Sequence, residues 1–71
     1  MKLNKLKEIR KKYGMSRREL AEISGVKQST IYKLEKGLVK DVKLSTLIAL
    51  SKSLNSYMYD LLPDNLQDYI Y

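Results

Sequence analysis

The residues best suited to chemistry are five polar residues at helical spacing: Gln28, Ser29, Tyr32, Lys33 and Lys36. They offer an amide, two kinds of hydroxyl and two ammonium groups, and no acid is among them. Gln can bond N6 and N7 of adenine together, Lys can donate to O6 or N7 of guanine, and Ser can bond either base. The set is compatible with a surface that reads base edges in duplex DNA. An ordinary solvated helix face would have a similar composition and is the alternative.

The residue types that are missing narrow the chemistry. The sequence contains no cysteine and no histidine, so thiolate and imidazole chemistry are excluded and a metal site would have carboxylates alone. Ser24 and Lys27 match the Ser-x-x-Lys pattern of penicillin-binding enzymes, but that chemistry needs a much larger fold. Glu8, Glu19 and Glu22 fit capping and solvated positions better than a catalytic pair. We expect no enzyme, no cofactor and no metal site.

The charge is distributed unevenly along the 71 residues. Residues 1–40 hold 12 Lys or Arg against 4 Asp or Glu, a net charge of +8, whereas residues 41–71 hold 2 against 4, a net charge of −2. The basic half indicates a polyanionic partner, with nucleic acid ahead of an anionic membrane and simple solubility as the plain alternative. No apolar run approaches the roughly 20 residues that span a bilayer, and no signal-peptide core follows Met1. We expect a soluble, mature chain with no membrane partner.

Glycines at positions 14, 25 and 37 each follow an apolar pattern of helical period, and they predict three helix ends. The apolar face of the first helix comprises Leu3, Leu6, Ile9 and Tyr13. The second helix, of about eight residues, begins at a capping box formed by Ser16 and Glu19. Its apolar face comprises Leu20, Ala21 and Ile23. The short connection around Gly25 has the length of a helix-turn-helix corner.

The third helix, predicted over residues 28–36, has two faces. At about 100° per residue, Ile31 and Leu34 lie on the side opposite the five polar residues. With Val26 just before them, they are expected to pack inward. The polar set is therefore expected to point outward.

The rest of the chain continues the helical pattern. Residues 38–43 have no clear period and predict a loop. The fourth helix has a periodic set of Leu44, Leu47, Ile48, Leu50, Ser51 and Leu54. A short fifth helix, capped by Asn55 or Ser56 and closed by Pro63, carries Met58, Leu61 and Leu62. The prediction is a compact all-α domain of five helices over residues 1–62, followed by a short C-terminal tail over residues 63–71.

Several segments together resemble the Cro/phage-repressor helix-turn-helix family. The matching stretches are residues 6–10, 14–21, 25–37, 44–54 and 60–62, in the family's order and spacing. The resemblance implies a lambda-repressor-like domain that binds double-stranded DNA, usually as a homodimer on a two-fold symmetric operator. It also implies that the second helix lies across the DNA backbone while the third, over residues 28–36, enters the major groove.

Carried over residue by residue, the resemblance implies two groups of DNA contacts. The base-reading positions are Gln28, Ser29 and Lys33. Tyr32, on the same polar face, and Lys27, just before the helix, are further candidates that do not come from the resemblance. The backbone-contacting positions are Ser16, Arg17, Arg10, Lys40 and Lys43. Lys36, on the polar face of the third helix, is expected to contact phosphate or solvent. Arg10 also matches a family pairing with Glu35, in which the arginine braces the third helix and faces phosphate.

Three residues depart from the family pattern. Asp41 stands where a basic or neutral residue is usual, which weakens the backbone grip of its loop. Val42 replaces a common proline and leaves that loop less constrained. Lys27 replaces the usual Ser or Thr cap of the third helix, at a cost of about 1 kcal/mol. Our hypothesis is that Lys27 is tolerated because it contacts DNA, and neutral drift at an exposed position is the alternative.

Aromatic residues cluster near the C-terminus, at Tyr57, Tyr59, Tyr69 and Tyr71. Clustered aromatics with little charge suggest a dimer surface. We predict a dimer contact through Leu66, Tyr69 and Ile70. The alternative is ordinary core closure near Tyr57 and Met58.

The sequence therefore predicts a cytoplasmic, sequence-specific transcriptional regulator of bacterial, phage or plasmid origin. It is expected to act as a repressor that binds a palindromic operator as a homodimer, without a small-molecule ligand. A DNA-binding antitoxin and a restriction–modification controller are alternatives within the same class. A protein-interaction module with an incidental basic face is the alternative from another class.

Overall fold

The computed structural model describes residues 2–63, and these form five helices with no strand among them. The helices are α1 (Asn4–Lys12), α2 (Arg17–Ser24), α3 (Gln28–Lys36), α4 (Leu44–Ser53) and α5 (Met58–Leu61). The all-α, five-helix prediction is confirmed. In the described part of the chain, no helix is both long and apolar enough to cross a membrane.

Local signals in the sequence set the bounds of α2 and α3. The N–H of Glu19 donates to the Ser16 hydroxyl, and the N–H of Ser16 donates to the Glu19 carboxylate, both at 3.1 Å. This is the predicted capping box, and it satisfies two amides that the helix leaves without partners. Gly25 and Gly37 follow the two helices with φ of 76°, a left-handed conformation that costs glycine little. Both helices therefore end where the glycines predict.

The start of α5 differs from the prediction. Tyr57 precedes its first residue, and no side chain caps the helix. Asn55 instead adopts a φ of 49°, a left-handed turn that ends the run of α4. The Ser56 hydroxyl donates back to the carbonyl of Leu54 at 3.1 Å. Asn55 and Ser56 thus belong to the turn between α4 and α5, and the predicted cap is wrong.

The core is built almost entirely from leucine. Its buried members are Leu3, Leu6, Leu20, Ile31, Leu34, Leu47, Leu50, Leu54 and Leu61. The segment before α1 is fixed to the end of α3, because the N–H of Leu3 donates to the carbonyl of Leu34 at 3.0 Å. Helix α1 therefore packs along α3, while α2 packs on α3 and α4.

Four residues predicted on apolar faces are exposed instead: Tyr13, Ile23, Leu44 and Ile48. Tyr13 lies beyond the last residue of α1, so it leaves the helical track. Ile23 lies roughly 60° outside the inward sector that Leu20 and its neighbours define on α2, and Ile48 lies about 100° from Leu47 on α4. Leu44 is the first residue of its helix. Helical periodicity located the apolar face of each helix, but it predicted more residues on that face to be buried than the structure shows.

Candidate nucleic-acid interface

The turn between α2 and α3 is ordered by its own hydrogen bonds. The N–H of Gly25 donates to the carbonyl of Ala21 at 2.9 Å. The N–H of Val26 donates to the Ser24 hydroxyl at 3.1 Å, and Val26 packs partly buried against the core. These contacts fix the direction in which α3 leaves the turn.

Helix α3 divides as its sequence predicts. Its inward side chains, Ile31, Leu34 and Glu35, are buried. Its outward side chains, Gln28, Ser29, Tyr32, Lys33 and Lys36, are all exposed. Four of the candidate base-reading residues therefore share one accessible surface that carries no acid.

Glu35 is the buried acid behind this surface. Arg10 of α1 donates to it through Nε at 2.8 Å and through Nη2 at 3.2 Å. Arg17 of α2 donates through Nε at 2.9 Å. Burial opposes ionisation of the carboxylate, but hydrogen bonds from the two arginines outweigh it and hold the pKa of Glu35 below its ordinary value of 4.5. One carboxylate thus ties α1 and α2 to α3.

The hydrogen bonds to Glu35 hold the Arg10 side chain inside the protein. Its side chain is 7% exposed, and its remaining Nη1 group donates to the carbonyl of Met15 at 2.7 Å. The bracing of α3 that the resemblance implies is therefore present in the bonds to Glu35. The contact of Arg10 with a DNA phosphate stays a prediction. Because little of the side chain is exposed, only a small part of it could touch a phosphate.

Arg17 is more open and connects the network to the outward face of α3. Its guanidinium carbon lies 5.0 Å from the centre of the Tyr32 ring, and the Lys36 ammonium lies 5.9 Å from the same ring. Both distances suit cation–π attraction. Arg17, Gln28, Ser29 and Tyr32 also line one shallow surface depression. The structure therefore brings a predicted backbone residue beside three predicted base-reading residues.

Lys27 and the loop before α4 form the other edge of the surface. Lys27 is the N-cap residue of α3 and makes no side-chain cap bond, which confirms the missing cap. Lys27, Asp41 and Lys43 line a second depression, and all three are exposed. Lys40 is exposed in the same loop. The acid that departs from the family pattern thus lies beside two of the predicted DNA-contacting lysines.

Lys7 of α1 is a basic neighbour that the sequence did not single out. The ammonium groups of Lys11 and Lys36 lower its pKa from the ordinary value of 10.5, with smaller lowering contributions from partial burial and Arg17 and an opposing one from Glu35. Lys7 therefore lies in a positive field shared by three helices. Its spacing, four residues after Leu3 and three before Arg10, is the signal in the sequence that places it on this side of α1.

The predicted dimer residues Leu66, Tyr69 and Ile70 lie outside the described residues. Of the pair named for core closure, Met58 packs partly buried against the core, whereas Tyr57 is 81% exposed. Core closure near α5 therefore uses Met58 and not Tyr57.

Comparison with known protein families agrees with the helix-turn-helix arrangement of α2 and α3. A family model described as helix-turn-helix matches residues 6–61. This chain belongs to that helix-turn-helix family. The membership agrees with the resemblance drawn from the sequence, and the family consists of DNA-binding transcriptional regulators.

A curated relative gives a second comparison. It is an uncharacterized HTH-type transcriptional regulator of Methanocaldococcus jannaschii, 38% identical over 58 residues. The matched region covers 82% of this chain and 33% of that relative, so this helix-turn-helix chain spans about a third of the relative's length. No solved structure gives a significant match.

Proposed function

We propose that this helix-turn-helix domain binds double-stranded DNA sequence-specifically and regulates transcription, with α3 in the major groove. The observation that carries the proposal is the outward face of α3, where five exposed donor and acceptor side chains lie together. The one acid of α3, Glu35, is buried and paired with two arginines. The face therefore presents no unneutralised acid to the negative groove.

Side chains around this face are suited to the phosphates that border a groove. Ser16 and Arg17 lie at the start of α2, where amides and the helix dipole favour an anion. Lys36 lies with Arg17 beside the Tyr32 ring, and Lys40 and Lys43 are exposed in the loop that follows α3. Base contacts from Gln28, Ser29 and Lys33 would then specify the sequence, while the flanking cations position the domain.

The proposed mode of action is repression by a homodimer on a palindromic operator. The domain measures 31 × 23 × 20 Å. One helical turn of DNA separates half-sites by about 34–36 Å, so one copy covers a single half-site. Two copies related by a two-fold axis would read a palindrome and exclude other proteins from it.

The test is selection of bound duplexes from a random pool. We expect one enriched motif, with two inverted halves. Gln28→Ala and Lys33→Ala should each change the preferred base at one position per half-site. Lys40→Ala should weaken all duplexes alike and is a better backbone control than Arg17, because Arg17 also holds Glu35 and Tyr32. No enriched motif, or uniform losses from all three variants, would contradict sequence-specific reading.

A further inference from the structure

Helix α1 is held against the last turn of α3 at two points. The N–H of Leu3, just before α1, donates to the Leu34 carbonyl at 3.0 Å. Arg10, near the end of α1, bonds Glu35. Lys7 is four residues after Leu3 and three before Arg10, so it lies on the same side of α1, between the two points. This placement turns Lys7 toward the C-terminal end of α3, within electrostatic range of Lys36.

In the part of the chain that the structure describes, no exposed acid forms an ion pair with the lysines of this region. Among the described residues, no salt bridge involves Lys7, Lys11 or Lys36. The nearby carboxylate of Glu35 is fully buried and already bonded to Arg10 and Arg17. Repulsion from Lys11, Lys36 and Arg17 lowers the pKa of Lys7, which shows that these charges act on one another. An anion placed between Lys7 and Lys36 would relieve that repulsion.

We propose that Lys7 and Lys36 together bind one phosphate group of the DNA backbone, so that α1 extends the contact surface beyond the helix-turn-helix unit. The proposal rests on the proposed DNA binding. It adds Lys7 to Arg10, the α1 residue for which the family resemblance already implies a phosphate contact. Lys36 lies at the edge of the recognition face, so a phosphate it contacts borders the groove that α3 enters.

A competing explanation involves no DNA. The C-terminal end of a helix carries partial negative charge, and lysines near it stabilise the helix by about 0.3–1 kcal/mol. Lys7 and Lys36 both lie near that end of α3. This explanation requires that removing the Lys7 charge lowers stability, whereas the repulsion from its neighbours predicts unchanged or slightly higher stability.

The experiment compares Lys7→Gln with Lys5→Gln, which removes the same charge from an exposed position on the far side of α1. Affinity for the selected duplex is measured at several salt concentrations, and Tm is measured for each variant. We expect Lys7→Gln to lower affinity roughly fivefold near 0.1 M salt and to reduce the slope of log affinity against log salt by up to about 0.9, the value of one phosphate. Lys5→Gln should change the slope much less, and neither variant should lower Tm.

Lys36→Gln tests whether the two lysines share one phosphate. If they do, Lys7→Gln should cost less affinity in the Lys36→Gln background than in the wild type, and the double variant should lose no more than about 0.9 of slope. Additive losses with twice that slope change would overturn the shared site. Equal effects of Lys7→Gln and Lys5→Gln, or a lowered Tm with an unchanged slope, would overturn the phosphate contact. A wild-type protein that binds no duplex would instead overturn the proposed function, and this inference with it.

Discussion

Glu35 connects the packing of three helices with the charge of the outward face of α3. Two guanidinium groups bind the Glu35 carboxylate. Because this side chain is buried, the only acid of α3 does not lie on the outward face. The pairing with Arg10 was implied by the family resemblance. The bond from Arg17 and the stacking of Arg17 on Tyr32 were not, because they depend on how α2 crosses α3 and on side-chain rotamers that no spacing rule specifies.

Replacing Glu35 should destabilise the fold strongly. Glu35→Gln leaves the buried Arg10 and the half-buried Arg17 without a counter-charge, and breaking a buried pair in this way costs about 3–5 kcal/mol. Urea unfolding measures the loss. Glu22→Gln is the matched control, since Glu22 pairs with Arg18 at 3.4 Å on the exposed side of α2, where a pair contributes about 0–1 kcal/mol. Similar losses in both variants would mean that the Glu35 network does not stabilise the fold.

The same network should make stability depend on pH. The pKa of Glu35 is below its ordinary value of 4.5, so the unfolded chain binds a proton on this group at higher pH than the folded one. The stabilisation is complete above the unfolded pKa and is lost as pH falls through the folded pKa. Unfolding free energies measured between roughly pH 2 and pH 6 should therefore fall more steeply for the wild type than for Glu35→Gln. Parallel curves would exclude Glu35 as a source of the acid sensitivity.

Among the elements, α2 and α3 could be predicted to the residue because their end signals are local. A capping box and two left-handed glycines depend on neighbouring residues alone. The start of α5 was mispredicted because Asn55 is used for a left-handed turn. The exposure of Ile23 and Ile48 could not be predicted, because it depends on which helix packs beside each stripe.

Lys27 is the uncapped N-cap residue of α3 and also a candidate DNA-contacting residue. Lys27→Ser should stabilise the domain by about 1 kcal/mol by supplying the missing cap of α3. If Lys27 contacts DNA, the same change should lower affinity and reduce the salt dependence of binding.

Lys27→Ala separates the two effects, because it removes the charge without adding a cap. Both variants should lose the same affinity, while only the serine variant gains Tm. Unchanged affinity and salt slope in both would refute the DNA contact and leave Lys27 as an uncapped, exposed position.

At the scale of the whole molecule, the sequence predicted a basic half but not the face on which its charges meet. Lys7, Arg17 and Lys36 come from three helices, and their charges act on one another only because the Glu35 network and the Leu3–Leu34 bond fix those helices together. The position of Lys7 of α1 near the charges of Arg17 and Lys36 could therefore be recognised only from the tertiary structure. The proposed base-reading face, in contrast, could be predicted from the helical period of α3 alone.

The spacing of major grooves along the duplex leads to a prediction about the operator. If two copies bind a palindrome, their α3 helices must enter successive major grooves on one side of the duplex, about 34–36 Å apart. Inserting about five base pairs between the half-sites rotates one of them to the opposite side and should abolish joint binding, whereas inserting about ten should restore the facing geometry. Gel-shift titration with the two spacer series and a single half-site measures this. If every spacing binds two copies with the same affinity, the copies bind independently, and contact between them plays no part in operator recognition.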